Sequence, residues 1–303
     1  MSFQVKGWCP GALRPMQSGD GLVLRIRARN GRLLPDQTRA IADLSARLGN
    51  GLIDLTNRAN LQLRGLDQHG HERALATLAA LDLLDPTPEA EARRNIILSP
   101  FAPLEGAAWK LATALAAAIT AKDAPQVPAK FGFAIDTHLP VLQLCPADIR
   151  LTPANMGWLI QPDGGNWALP AQNAAEALAQ TITLTRWFLE KRGANHRMRQ
   201  HLLSDPTPPS GAIRADHSLF SKYPCDRATS DNLVQMAPGR TPQGWLLGFA
   251  FGQITAEQLA RIDAPIRLTP WRMLLIESST QVRIPGAIEA PGDPLLRSAA
   301  CTG

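Results

Sequence analysis

Three features of the chain predict an α+β fold built from two related halves. A strand-helix-strand-strand order occurs twice, the strands alternate apolar and polar residues, and one copy alone carries a basic strand face. In the first copy, Gly21-Leu-Val-Leu-Arg-Ile-Arg27 turns Leu22, Leu24 and Ile26 one way and Val23, Arg25 and Arg27 the other. Asn30-Gly31 marks a turn. Pro35 then opens a helix on which Ile41, Leu44 and Leu48 recur at helical spacing until Gly49-Asn50-Gly51 stops it. Ile53 and Leu55 begin the next strand, and Leu61 and Leu63 resume its apolar face after a turn near Asn57-Arg58. The opposite parity holds Thr56, Arg58, Asn60, Gln62 and Arg64. A helix on the aliphatic side leaves a second face lined by Arg25, Arg27, Arg58, Gln62 and Arg64. On spacing alone such a face is either solvated or built around an anion.

The second copy reads as a strand over 244–251, a helix over 255–262, and strands over 266–269 and 272–276. Leu55-Thr56 followed by Arg58 returns as Leu268-Thr269 followed by Arg272, with one residue inserted. In this alignment Gly248 replaces Arg25 and Ala250 replaces Arg27. Charge that merely solvated the sheet has no reason to be so lopsided, so the pair reads as a pseudo-twofold scaffold with one basic, ligand-facing half.

Between the copies the sequence predicts an alanine-rich helix over 105–120, strands over 127–135, 139–144, 149–152 and 156–160, and a long helix over 171–191. Lys191, Arg192, Arg197 and Arg199 at its end read as charge compensating the helix C-terminus. Proline, glycine, serine and aspartate crowd 204–243, which reads as a linker or long irregular loop. The expected organisation is a first half over 1–85, a middle α/β unit over 86–203, the linker over 204–243, the second half over 244–284, and the start of a further segment at 285–303.

Hydrophobic residues make up 45% of the 303 residues and charged residues 19%, the composition of a packed protein rather than a disordered one. The net charge of +5 allows a polyanionic partner. Aromatics total 5% with one tyrosine, and no basic run is interleaved with stacking residues, so nucleic acid is not expected. The longest apolar helical stretch, flanked by Lys110 and Lys122, is too short to span a bilayer. Cys9, Cys145, Cys225 and Cys301 are scattered, and with no leader preceding them a cytoplasmic location is expected. Cys9 reads as structural. His69, His71 and Glu72 read as a solvated turn at a helix start in preference to a metal set.

Several strings carry a family resemblance. Lys6-Gly-Trp-Cys-Pro-Gly-Ala-Leu-Arg-Pro-Met16 with Gly19-Asp-Gly21 resembles the opening of the precorrin-3B synthases, members of the sulfite/nitrite-reductase superfamily. Leu55-Thr-Asn-Arg58 with Gln62 resembles that superfamily's Thr-x-Arg-x-x-x-Gln signature, and Arg94-Asn95 and Pro128-Ala-Lys-Phe131 resemble two more of its motifs. The resemblance runs through Asp293 to the end of the chain. It implies two ferredoxin-like half-domains plus a sulfite/nitrite-reductase-type α/β cluster domain, with a tetrapyrrole held between the halves.

The implied activity is that of a monooxygenase of cobalamin biosynthesis that oxidises precorrin-3A with dioxygen. A sirohaem-dependent sulfite or nitrite reductase is the alternative, and a cluster-less tetrapyrrole-binding fragment a third reading. Carried across, Arg25, Arg94 and Lys130 are the catalytic candidates, and Arg25, Arg27, Arg58, Gln62, Arg64 and Arg94 would bind the carboxylates of the tetrapyrrole substrate. The superfamily's second lysine is replaced by Gly132, which suits neutral dioxygen better than a dianionic oxyanion. The resemblance also implies a [4Fe-4S] cluster on four thiolates. Cys301 matches the first ligand, and with the other three absent before Gly303 the motif is expected to be cut off. NADH or another reductant, or an electron-donor protein, would supply electrons, and a mononuclear iron is left open.

Overall fold

Leu24, Leu63, Ile53 and Ile254 lie side by side across four strands, all fully buried, and show how the alternating sequence is used. In the computed structural model the described residues are 10–155, 157–215, 236–296 and 298. The first half runs β1 (Met16–Ser18), β2 (Gly21–Ile26), a single 3-10 turn at Arg29–Gly31, β3 (Arg32–Leu33), α1 (Pro35–Leu48), β4 (Leu52–Leu55), β5 (Leu61–Leu66) and α2 (Gln68–Ala80). Pro35 begins α1, where its missing N–H is no loss, and Gln37 accepts from the Leu34 amide at 2.9 Å. Asp67 caps α2 through the Gly70 amide at 2.6 Å.

The middle unit follows: α3 (Pro88–Arg93), β6 (Ile96–Leu98), α4 (Ala107–Thr120), β7 (Phe133–Ile135), β8 (Ile149–Ala154), β9 (Gly157–Pro162), β10 (Trp167–Ala171), α5 (Ala174–Lys191), α6 (Met198–Ser204) and β11 (Ile213–Arg214). Its sheet has the order β11-β10-β9-β8-β7-β6, parallel from β6 to β8 and antiparallel beyond. The second half comprises β12 (Gly239–Thr241), β13 (Gly244–Phe249), a 3-10 turn at Ala250–Gly252, β14 (Gln253–Thr255), α7 (Ala256–Ala260), β15 (Ile266–Leu268), β16 (Met273–Ile276) and β17 (Ala287–Ile288).

The halves exchange strands. The first sheet has the order β1-β2-β5-β4-β14 and the second β12-β13-β16-β15-β3, so each half lends the short strand after its 3-10 turn to the other. Backbone conformation repeats with the topology. Gly21 and Gly244, Asn30 and Phe251, Gly31 and Gly252, and Ala59 and Arg272 are four matched pairs, all at positive φ. The halves share one hydrophobic core, and α4 and α5 close a second one over the middle sheet.

Register corrects the repeat as read from the sequence. Arg25 stands opposite Gln62, and Leu246 opposite Leu275, so Leu246 is the counterpart of Arg25 and Gly248 that of Arg27. Arg272 matches Ala59, leaving Trp271 opposite Arg58 with no inserted residue. A slip of two residues preserves which face a side chain takes, so alternation alone could not detect it.

Residues 139–144 form no strand, nor does the stretch before Phe133. The segment instead folds around the Asp136 carboxylate, which accepts from the amides of Leu142 at 2.8 Å and Thr137 at 3.0 Å. Strands β6 and β10 and helices α3 and α6 are additional to the elements read from the sequence. The basic cluster after α5 does more than compensate a helix end. Arg197 binds the fully buried Asp148 at 2.9 Å and Arg199 binds Asp163 at 2.9 Å, pinning α6 to the middle sheet. His71 is buried rather than solvated, its Nε2 2.8 Å from the Ala12 carbonyl. Of the expected linker, 216–235 lies outside the described residues, and its flanks contribute β11 and β12.

Candidate functional site

On the face opposite the aliphatic row, register sets Arg25 beside Gln62, Gln62 beside Asp54, and Asp54 beside Gln253, crossing β2, β5, β4 and β14. Their side chains are joined in that order. Arg25 donates through Nε at 3.1 Å and Nη2 at 2.6 Å to the Gln62 Oε1. Gln62 donates to the Asp54 Oδ2 at 3.4 Å, and Gln253 donates to the Asp54 Oδ1 at 2.8 Å. Each polar group is thereby aimed by its neighbour, which fixes the row without help from solvent.

Arg64, two residues beyond Gln62 on β5, flanks the row on one side. It contacts Asp20 at 3.1 Å and Asp54 at 3.5 Å, and donates to Ser18 at 3.0 Å. Burial works against its charge, but the bonds to Asp20 and the nearby Asp54 outweigh it and hold the guanidinium above its ordinary pKa. Arg272 and Phe251, from the second half, flank it on the other. Together these residues line a cavity of about 440 Å³, within the range of small-molecule sites. Three lining arginines face one lining carboxylate, so the cavity is cationic. A second cavity of about 560 Å³ adjoins it through Asn57, lined by Val141, Leu144, Cys145, Trp271 and Met273 among others.

The pseudo-symmetric position in the second half is filled by protein. There the row reads Leu246, Leu275, Arg267 and Arg32. Glu277, the counterpart of Arg64, binds Arg32 at 2.7 Å and Arg267 at 2.5 Å. Arg267 also donates to the carbonyls of Pro100 and Ala102 and lies 5.8 Å from the Trp109 ring centroid. The middle unit therefore docks on one face of the pair and leaves the other open.

The structure divides the residues singled out from the sequence. Arg25, Gln62 and Arg64 line the cavity. Arg58 is not among the lining residues and donates to the Lys130 carbonyl at 3.1 Å, while Lys130 is exposed and likewise not among them. Arg27 and Arg94, read above as ligand-facing, are instead buried and bound to protein groups. Arg27 donates to the Glu91 carbonyl, and burial lowers its pKa to about 10. Arg94 forms a two-pronged pair with Asp85 at 2.7 and 2.9 Å and donates to the Arg27 carbonyl at 2.9 Å. Arg27 has the parity of a binding arginine and Arg94 comes from the resemblance, but α3 covers the first and Asp85 holds the second. Arg272, Phe251, Asp54 and Gln253 were not among the candidates, and the only sequence signal for Arg272 was its place in the repeat.

The described residues do not fit an iron-sulfur cluster. Cys145 is the one described cysteine, and burial together with Asp136 pushes its thiol up to about 12, the reverse of a ligating thiolate. Cys9, Cys225 and Cys301 lie outside the described residues, and among the described residues no group of metal-ligating side chains converges. No described helix is long and apolar enough to cross a membrane.

Residues 14–81, which hold most of the polar row, match the family described as the Nitrite/Sulfite reductase ferredoxin-like half domain. That match spans β1 through α2. In sequence the chain is 28% identical over 270 residues to a precorrin-3B synthase from a Sinorhizobium species, covering 84% of this chain and 56% of the relative. In structure it is similar to the NirA protein of Mycobacterium tuberculosis, with a TM-score of 0.54 and 15% identity over 91% of this chain and 55% of that one. The chain spans a little over half the length of either. The NirA likeness shows the fold, and the half domain places the polar row on its sheet.

Proposed function

We propose that the cationic cavity binds the carboxylated rim of a tetrapyrrole, and that the chain acts as a precorrin-3B synthase-like monooxygenase of cobalamin biosynthesis. The row from Arg25 to Gln253, flanked by Arg64 and Arg272, supports this reading most strongly. Arginine forks pair with carboxylates through charge-assisted bonds, and a partly desolvated cavity strengthens them. The substrate class is taken from the precorrin-3B synthase relative. In that reaction one atom of dioxygen enters precorrin-3A and the other leaves as water, with two electrons and two protons consumed. The role assigned to the described residues is to bind the macrocycle and hold it in one orientation.

Gly132 weighs against oxyanion reduction. Its amide donates to Asp148 at 2.9 Å, and a β-carbon there would stand 3.3 Å from the Arg58 guanidinium. A second lysine at this position would crowd Arg58, so the missing charge is not simply replaceable.

The test is titration of an octacarboxylate porphyrin into wild-type protein, Arg25→Ala and Arg58→Ala at fixed ionic strength. Arg25→Ala is expected to weaken binding about tenfold, roughly 1.4 kcal/mol, and Arg58→Ala less, since Arg58 is not among the residues lining the cavity. Equal affinity in wild type and Arg25→Ala would remove the assignment.

A further inference from the structure

Two residues of the second half that line the cavity carry large side chains on backbone that disfavours them. Phe251 has φ 59° and Arg272 has φ 60°, both in the left-handed region where a β-carbon is crowded. Their counterparts in the first half, also at positive φ (49° and 53°), are Asn30 and Ala59. Asparagine tolerates this conformation, and Asn30 serves the docking of the middle unit by donating to Thr113 at 2.8 Å. Left-handed phenylalanine and arginine are far less common, and such strain is retained where the surroundings or the function hold it.

The surroundings aim Arg272 closely. Its side chain runs along Gly252, where an added β-carbon would lie 2.8 Å from the Arg272 Nε, and that Nε donates to the Leu55 carbonyl at 3.3 Å. No carboxylate pairs with Arg272 among the described residues, in contrast to Arg64, which is held by Asp20 and Asp54. Phe251 is 40% exposed although it lines the same cavity. An exposed aromatic ring and a cation without an acid, facing one cavity from one element pair, match a flat ring with acidic substituents.

We propose that Phe251 and Arg272 form a grip contributed by the second half, in which Phe251 stacks on the face of the bound macrocycle and Arg272 pairs with one of its carboxylates. The inference rests on the tetrapyrrole reading of the cavity and adds what selects the ligand. The first half supplies Arg25 from one side, and the grip closes from the other, so affinity depends on both halves and on how many acids the ring bears.

Glycine substitutions test the grip without threatening the backbone, because glycine adopts this conformation freely. Arg272→Gly and Phe251→Gly are expected to melt no lower than wild type. In porphyrin titrations followed by the Soret band, Arg272→Gly should lose at least tenfold affinity for an octacarboxylate porphyrin and distinctly less for a dicarboxylate one. Arg272→Lys should recover part of the loss. Phe251→Gly should weaken both ligands by similar factors. Octacarboxylate binding within twofold of wild type in Arg272→Gly, with Arg25→Ala still impaired, would overturn the grip and leave the cavity reading standing. Absence of porphyrin binding by wild type would overturn both.

Discussion

Gln253 donates to the Asp54 Oδ1 at 2.8 Å across the seam where the second half lends its strand to the first. The bond occupies the one acidic group that lines a cavity otherwise suited to anions. Gln62 and Arg64 hold the other oxygen, so Asp54 presents little uncompensated charge to a ligand.

Gln253→Glu would set a second carboxylate against Asp54. Porphyrin affinity at neutral pH is expected to fall about tenfold, and to recover as the pH is lowered and the introduced carboxylate is neutralised. Gln253→Ala should cost about 1 kcal/mol of stability through the lost bond, with only a few-fold loss of affinity. Titration across pH and denaturant unfolding check these outcomes, and a pH-independent loss in Gln253→Glu would contradict the account.

The Arg94 and Asp85 pair is nearly solvent-free, with side-chain exposures of 6% and 2%. Removing one partner strands the other charge, so Arg94→Ala is expected to destabilise the protein by about 3–5 kcal/mol. Porphyrin affinity of the folded variant should stay within about threefold of wild type. Burial opposes the charge of Asp85, but its bonds to Arg94 and Arg29 prevail and depress its pKa below the ordinary 3.8. Its contribution is therefore complete above that ordinary value and is lost as pH falls through the depressed one. The Asp85→Asn variant should show a flatter acid limb in thermal melts below about pH 4.

Asp136 behaves in the opposite sense. Burial raises it to about 6, against the lowering effect of the Leu142 and Thr137 amides. Because the folded chain holds this proton more tightly than the unfolded one, stability falls as pH rises from about 4 to 6 and is constant above. Across that window the change amounts to roughly 3 kcal/mol. Asp136→Asn should remove this slope in melts recorded between pH 4 and 7, whereas an unchanged slope would assign it to another group.

Much of this architecture was legible before any coordinates. The period-two alternation placed Arg25, Gln62 and Arg64 on one face of the first half, and they share a cavity. Helix α1 was legible because Pro35 and Gly49 mark its ends and Ile41 and Leu44 its buried side. The α+β class with paired ferredoxin-like halves followed from the repeat together with the motifs, and the half-domain match and the fold likeness agree with it. The misread strands at 139–144 have a local cause. Val141 and Leu142 are buried by a loop that wraps a carboxylate, and a short apolar run looks the same in either setting.

What the sequence determined by itself is the sidedness of the first half's strands and the ends of α1, because both depend on neighbours within a few residues. Which arginines line the cavity was decided only by the tertiary structure. Arg27 and Arg94 share residue type with Arg25, yet α3 and Asp85 claim them, and Arg272 joins the site from more than two hundred residues away. The strand exchange and the two-residue slip in the repeat are invisible for the same reason. Both leave every local pattern intact and differ only in which distant segment supplies the partner.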